Sequence, residues 1–205
     1  MLVRVTEMLV RVTECADAFR ILETPEAAES VPLVLIAAGT GMTLQFIPLL
    51  SALTSGPGVA LFRAFIQERA AQAATGRLLA DALLFYGCRS PADDLYLDLF
   101  QRWEDLGAVA IRRAYSGMPE ESQGCRYVQD RILHDRDAVM ELLKIGARIM
   151  VCVPGCAVKE VRRTLDDISR DVRTQRATLM EQGGADGTGI ADLQLESAWH
   201  VWQRG

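Results

Sequence analysis

Gly56-Pro57-Gly58-Val59-Ala60-Leu61-Phe62-Arg63-Ala64-Phe65-Ile66-Gln67-Glu68-Arg69 decides the reading of this chain. A glycine turn runs straight into a helical stretch, and such a helix opens on unpaired N–H groups and the positive end of its dipole, a site sized for a phosphate. Upstream, the apolar run Leu33-Val34-Leu35-Ile36-Ala37-Ala38 ends on a second candidate turn, Gly39-Thr40-Gly41. A buried parallel strand, glycines that let the backbone approach a pyrophosphate, and a helix N-terminus together point to a nucleotide. The spacing is not that of the Gly-x-Gly-x-x-Gly fingerprint, because Leu44 stands where its third glycine belongs.

Composition bounds the class. The 205 residues are 50% hydrophobic and 24% charged, enough for one good core, and the net charge of −5 argues against a general nucleic-acid binder. Five cysteines without a CxxC spacing and two distant histidines, His134 and His200, suggest neither a disulfide framework nor a metal site. Reduced thiols and a cytoplasmic location are the expectation. No charge interrupts Val31 to Phe62, a length that could cross a bilayer. Gly39, Gly41, Pro48, Gly56, Pro57 and Gly58 break the run, so a buried strand plus a loop is the expected reading and no membrane span is expected. A signal peptide is not expected either, since Arg4, Glu7 and Arg11 fall where its apolar core would be.

Further along, Leu83–Gly87, Val109–Tyr115 and Arg148–Cys152 read as strands, each after a helical stretch. The helices are expected near Ala60–Ala74, Asp94–Leu106, Asp135–Ile145 and Lys159–Arg173. This alternation predicts an α/β fold, a doubly wound parallel sheet with ligands at the C-terminal ends of its strands.

Those strand ends carry a family resemblance. Gly-apolar-Ala-x-Phe-Arg at Gly58–Arg63, Phe85-Tyr86-Gly87-Cys88-Arg89 with Asp93-Asp94-Leu95-Tyr96, Ala114-Tyr115-Ser116 with Gly124-Cys125-Arg126-Tyr127-Val128-Gln129, and Gly146–Cys152 occur in the order of one domain. The chain resembles the NADP-binding, ferredoxin-reductase-like domain of diflavin reductases, the NADPH–cytochrome P-450 reductase family. It is most similar to the reductase half of self-sufficient P-450 fusions. The resemblance implies an oxidoreductase module that binds NADPH and passes hydride to FAD, with electrons continuing through FMN to a haem protein. Its partners would be FAD- and FMN-binding domains and a haem monooxygenase domain, none of whose signature segments occurs in these residues, so the isolated chain is expected to be inactive.

Carried over residue by residue, the resemblance assigns cofactor binding to Gly39, Thr40, Gly41, Gly58, Arg63, Cys88, Arg89, Ser116, Arg126, Tyr127, Gln129 and Glu160, and catalytic roles to Cys152 and Trp202. The chemistry is consistent. A 2′-phosphate needs hydroxyl and cationic donors such as Ser116, Arg126 and Arg89, and the Tyr127 ring can stack on adenine. By burial alone Cys152 would be a small core hydrophobe, and each surface arginine a solvated one. Two other readings stay open: a non-catalytic remnant, and a small Rossmann-like dehydrogenase, which lacks an acidic ribose partner here.

The departures matter too. Gly117 follows Ser116 where the family has arginine, so NADP affinity is expected to be weak and Gly117→Arg to restore it. Val153 and Pro154 replace the glycine and polar residue expected after the strand cysteine. Residues 42–58 interrupt the phosphate turn; excising them joins Gly39-Thr40-Gly41 to Val59-Ala60-Leu61-Phe62-Arg63 and reads as a retained intron. Met1–Glu7 recurs unchanged as Met8–Glu14. The expected organisation is thus residues 1–30, a remnant of the last FAD-barrel strand and a linker; 31–173, the NADP-binding domain with its insertion; and 174–205, a divergent tail with a Gly183–Gly189 linker.

Overall fold

A computed structural model describes residues 25–39, 57–181 and 199–202. The duplicated heptapeptide, Thr40, Gly41, most of the interrupting segment and the Gly183–Gly189 stretch lie outside the described residues.

Strand β1 (Leu33–Ala38) has Leu33 through Ala37 fully shielded from solvent, as a central strand covered on both faces must be. It pairs in parallel with β2 (Ala82–Cys88) on one side and β4 (Arg148–Cys152) on the other. Beyond β2 lies β3 (Ala110–Tyr115), and beyond β4 lies β5 (Trp199–Trp202), both parallel. The order β3-β2-β1-β4-β5 is the doubly wound sheet that the alternation predicts.

Successive residues of each strand feed opposite cores. Leu33, Leu35, Leu84, Tyr86, Ile111 and Met150 pack with α2 (Pro57–Ala74) and α3 (Leu97–Asp105). Val34, Ile36, Phe85, Ile149 and Val151 pack with α4 (Val128–His134), α5 (Arg136–Lys144) and α6 (Gly155–Glu181). A short helix α1 (Pro25–Ser30) precedes β1. In α2 the buried Val59, Phe62, Phe65, Ile66, Arg69 and Ala70 recur at helical spacing and form one stripe. In α6 Val158, Val161, Leu165, Ile168 and Val172 do the same.

Several boundaries differ from the sequence expectation. The helix expected from Asp94 starts at Leu97, because Pro91–Asp93 forms a 3₁₀ turn and the Asp94 carboxylate accepts from Arg113 at 2.8 Å instead of capping a helix. The helix expected to end at Arg173 continues to Glu181, and Trp199–Trp202 returns as a fifth strand. The chain therefore extends the sheet past residue 173. No helix among the described residues is long and apolar enough to cross a membrane.

Candidate functional site

A sheet in this order reverses direction between β1 and β4, and the crevice above that reversal is where open α/β sheets bind ligands. Gly39 leaves β1 there, and its N–H donates to the Gly87 carbonyl at 3.0 Å, extending the ladder one residue toward the crevice. Gly87 has its own constraint. An added Cβ would lie 2.8 Å from Val128 Cγ1, so only glycine lets the start of α4 sit this close to β2.

The loops after β2 and β3 are joined by two backbone bonds. Ser116 N–H donates to Cys88 O at 2.9 Å, and Gly117 N–H donates to Arg89 O at 2.7 Å. This sets Arg89 and Ser116 side by side. The Cys88 side chain, in contrast, lies in the core, its Sγ 3.4 Å from Ser90 O. Burial, with Asp94 and Asp93 nearby, pushes its thiol up to about 12, so it stays protonated at neutral pH, while its carbonyl takes part in joining the two loops.

Ser122 is the organiser that the sequence did not reveal. Its Oγ accepts the Tyr115 N–H at 3.0 Å and donates to Cys125 O at 2.7 Å, while the residue is only 3% exposed. One hydroxyl thus ties the last residue of β3 to the loop that presents Arg126. The loop can turn back because Gln123 and Gly124 both adopt left-handed backbone, with φ of 59° and 81°. Next, Tyr127 N–H donates to Asp130 Oδ2 at 2.9 Å, fixing the entry to α4. That leaves the Tyr127 ring half exposed. The side chains of Arg89, Ser116, Arg126 and Tyr127 have no hydrogen-bond or ion-pair partner among the described residues. Gln129 Oε1 is buried and also without a partner among them. Donors and acceptors left unspent at the ligand end of a sheet suit a polar, anionic ligand.

On the face of the sheet opposite α4, Arg63 of α2 lies over the Tyr96 ring, 5.4 Å from its centroid, with Nε buried and unpartnered among the described residues. Tyr96 is itself held edge-on by the buried Phe100 at 5.7 Å. The strand end expected beside a nicotinamide is Cys152, 6% exposed and paired in register with Ala37 of β1 and Trp202 of β5. Cys152 and Trp202 therefore stand level on neighbouring strands. After Val153 the chain enters α6 at once, with Ala157 N–H donating to Pro154 O at 2.8 Å. Glu160 sits on the exposed side of the second turn of α6, and Gly58 falls in the first turn of α2.

One sequence expectation is corrected. Gly117→Arg was expected to restore a phosphate contact, but a Cβ at Gly117 would stand 2.9 Å from Arg89 O and 3.2 Å from Arg89 Cγ. The position has no room for a side chain while the two loops stay joined.

Fold and strand-end geometry define a ferredoxin-reductase-like nucleotide-binding domain of the α/β class. No family model matches the chain. It is 41% identical over 191 residues to a bifunctional cytochrome P-450/NADPH–P-450 reductase of Fusarium oxysporum, covering 93% of this chain and 15% of that protein. A self-sufficient cytochrome P-450 monooxygenase of Phanerodontia chrysosporium is 39% identical over 169 residues, 82% of this chain and 14% of the other. A second bifunctional P-450/reductase, from Acremonium egyptiacum, is 37% identical over 156 residues, 75% of this chain and 13% of the other. The chain belongs to this family of P-450/NADPH–P-450 reductase fusions, and it spans about 15% of the length of the first of these relatives.

Proposed function

We propose that the chain is the NADPH-binding module of a flavoprotein oxidoreductase of the NADPH–haemoprotein reductase type. The observation that carries this reading is the group Arg89, Ser116, Arg126 and Tyr127, brought together by Ser122 and by the paired loops at the ends of β2 and β3 with no partner spent among the described residues. Ser116 and the two arginines would hold the 2′-phosphate, and Tyr127 would cover the adenine, with Gln129 available to a polar edge of the base. Gly39, Thr40, Gly41 and Gly58 would line the pyrophosphate turn, with Arg63, steadied by Tyr96, as its cation. Cys152 and Trp202, level at the ends of β4 and β5, would border the nicotinamide, with Glu160 on the first turns of α6.

When bound, NADPH supplies a hydride. In the whole protein this module would deliver it to FAD, with electrons passing through FMN to a haem domain, so the protein's share here is positioning and electrostatics. The FAD- and FMN-binding domains and the haem monooxygenase domain are the partners this reading requires. The isolated chain is then a nucleotide binder rather than a working reductase.

The interruption at residues 42–58 favours a second reading, a remnant with little or no binding, because a phosphate-cradling helix has to begin where its strand ends. One calorimetric comparison separates the two. The chain as given, and the chain lacking 42–58, are titrated with NADP and NAD. The leading reading expects NADP to bind at least about 10-fold more tightly than NAD, the value of one charge-assisted contact, and the shortened chain to bind more tightly and melt higher. Absence of binding in both forms supports the remnant. Equal affinity for NADP and NAD removes the assignment of the Ser116 loop. A shortened chain that unfolds makes 42–58 part of the fold.

A further inference from the structure

We infer that Glu104 and Ser122 close the outer edge of β3 against strand addition, and that this edge, once opened, pairs with the same edge of a second copy of the chain. Neither role depends on what the module binds.

In the order β3-β2-β1-β4-β5, β3 has a strand neighbour on one side only. Backbone groups of a strand point alternately toward and away from that neighbour, so an edge strand turns a row of N–H and C=O groups outward, a template for any other extended chain. On β3 that row is residues 111, 113 and 115, and side chains already take its first and last N–H groups. Ile111 N–H donates to Glu104 Oε1 at 2.7 Å, and Tyr115 N–H donates to Ser122 Oγ at 3.0 Å. Each oxygen stands where the carbonyl of an adjoining strand would stand, so it satisfies the rung and fills the space together.

Both acceptors are themselves held. Glu104 Oε2 accepts from Arg113 Nη1 at 3.3 Å, and Arg113 is anchored by Asp94 at 2.8 Å. Ser122 Oγ donates to Cys125 O at 2.7 Å. Glu104 comes from the last turn of α3, before the strand, and Ser122 from the 3₁₀ turn Pro119–Ser122 after it, so both flanks fold back onto one edge. Between them only the rung at Arg113 is left, too little to seat a strand. With the acceptors gone, a second copy fits, because two such edges paired antiparallel about a twofold axis are self-complementary. The arginines of the strand do not oppose this, since Arg113 lies beside Asp94 and Arg112 beside Asp135. An axis through Ile111 keeps clear of Ser122, so removing Glu104 alone should suffice.

The test uses the full chain, with sedimentation velocity across a concentration series, hydrogen exchange at single amides by NMR, and melting temperature as a fold control. Wild type should stay monomeric, and its Ile111 and Tyr115 amides should exchange about 10-fold or more slowly than that of Arg113. Glu104→Ala, a substitution that suits a helix, should lose protection at Ile111 when dilute and associate as concentration rises. Its dimer dissociation constant should lie at least about 10-fold below that of wild type, with protection returning at Ile111 and extending to Arg113. Adding Ser122→Ala should tighten the association further. Glu104→Gln should behave as wild type, because its amide oxygen accepts the same N–H without a charge. A folded Glu104→Ala that stays monomeric at every concentration overturns the inference, and so does equal association by Glu104→Gln, which would make charge alone the guard. A wild-type Ile111 amide that exchanges as fast as that of Arg113 also overturns it, and that result stands even if the variants fail to fold.

Discussion

Arginines at the two ends of the sheet are used in opposite ways. At the end where the strands begin, Arg69 of α2 is 1% exposed and spends its guanidinium on backbone carbonyls: Nε on Ala108 O at 3.0 Å, and its terminal nitrogens on Ala28 O and Ala80 O. Those carbonyls come from α1 and from the segments entering β2 and β3, so one side chain gathers three pieces of chain. Burial lowers its pKa to about 10, partly offset by Asp81, and it remains charged at neutral pH. At the end where the strands finish, Arg89 and Arg126 are exposed, and neither has a partner among the described residues. Between the two lies Arg113 on β3, fixed by the fully shielded Asp94 carboxylate at 2.8 Å and by Glu104 at 3.3 Å. Charge that is satisfied internally holds the fold; charge left over is available to a ligand.

The largest effect expected from this contrast is at Arg69. Arg69→Met should remove about 3–5 kcal/mol, because it takes the donor from the Ala108 and Ala80 carbonyls and unties three pieces of chain, and should lower the melting temperature by roughly 10 °C for a domain of this size. Arg126→Ala serves as the counterpart and should leave melting within experimental error while weakening NADP. Equal melting losses in the two variants would break the comparison.

Ser122→Ala comes next. Losing the hydroxyl leaves Tyr115 N–H and Cys125 O without it, a cost of about 1–3 kcal/mol by thermal or urea unfolding. Unlike Arg69→Met, it should also blunt the preference for NADP over NAD, because it frees the loop carrying Arg126. A melting loss with the preference intact would mean that Ser122 serves the fold alone.

The smallest effect concerns pH. Burial raises Cys88 to about 12, and Tyr115 to about 12, from ordinary values of 9.0 and 10.0. Below about pH 9 both states keep these protons and stability does not depend on them. Above it the unfolded chain ionises first, so stability should fall as pH climbs from 9 toward 12. Cys88→Ala should flatten the first part of that decline in urea titrations at stepped pH.

Much of the fold was legible in the sequence for a simple reason. β1, β2 and β4 are buried on both faces, and continuous apolar runs bounded by glycine or proline mark such strands well. β5 was not legible, since Trp199-His200-Val201-Trp202 is too short and mixed to signal a strand and acquires its identity from β4. Of the candidate site, Arg89, Ser116, Arg126 and Tyr127 stand out in sequence because charge, hydroxyl and ring are the chemistry such a site would need. Ser122 and Asp130 escaped notice because they act on backbone groups, and nothing in a residue's type says which carbonyl it will meet. The neighbours of Gly117 are hidden from sequence for the same reason. In sequence it looks like a missing arginine, whereas in space it is room for another one.

The burial of β1 also bears on how the sheet finds its alignment. Leu33, Val34, Leu35 and Ile36 are all apolar and all hidden, so sliding the strand by one residue would trade side chains of similar kind between the two cores. Hydrophobicity alone is then a degenerate code for its alignment. The tie-breakers are the contacts just past its ends: Leu33 N–H to Asp81 O and Arg148 N–H to Pro32 O below, and Gly39 N–H to Gly87 O above. The uppermost of these belongs to the turn that would face the phosphates. Substitutions there carry a double liability, since a change selected for a new ligand also edits the instruction that tells the central strand where to stop.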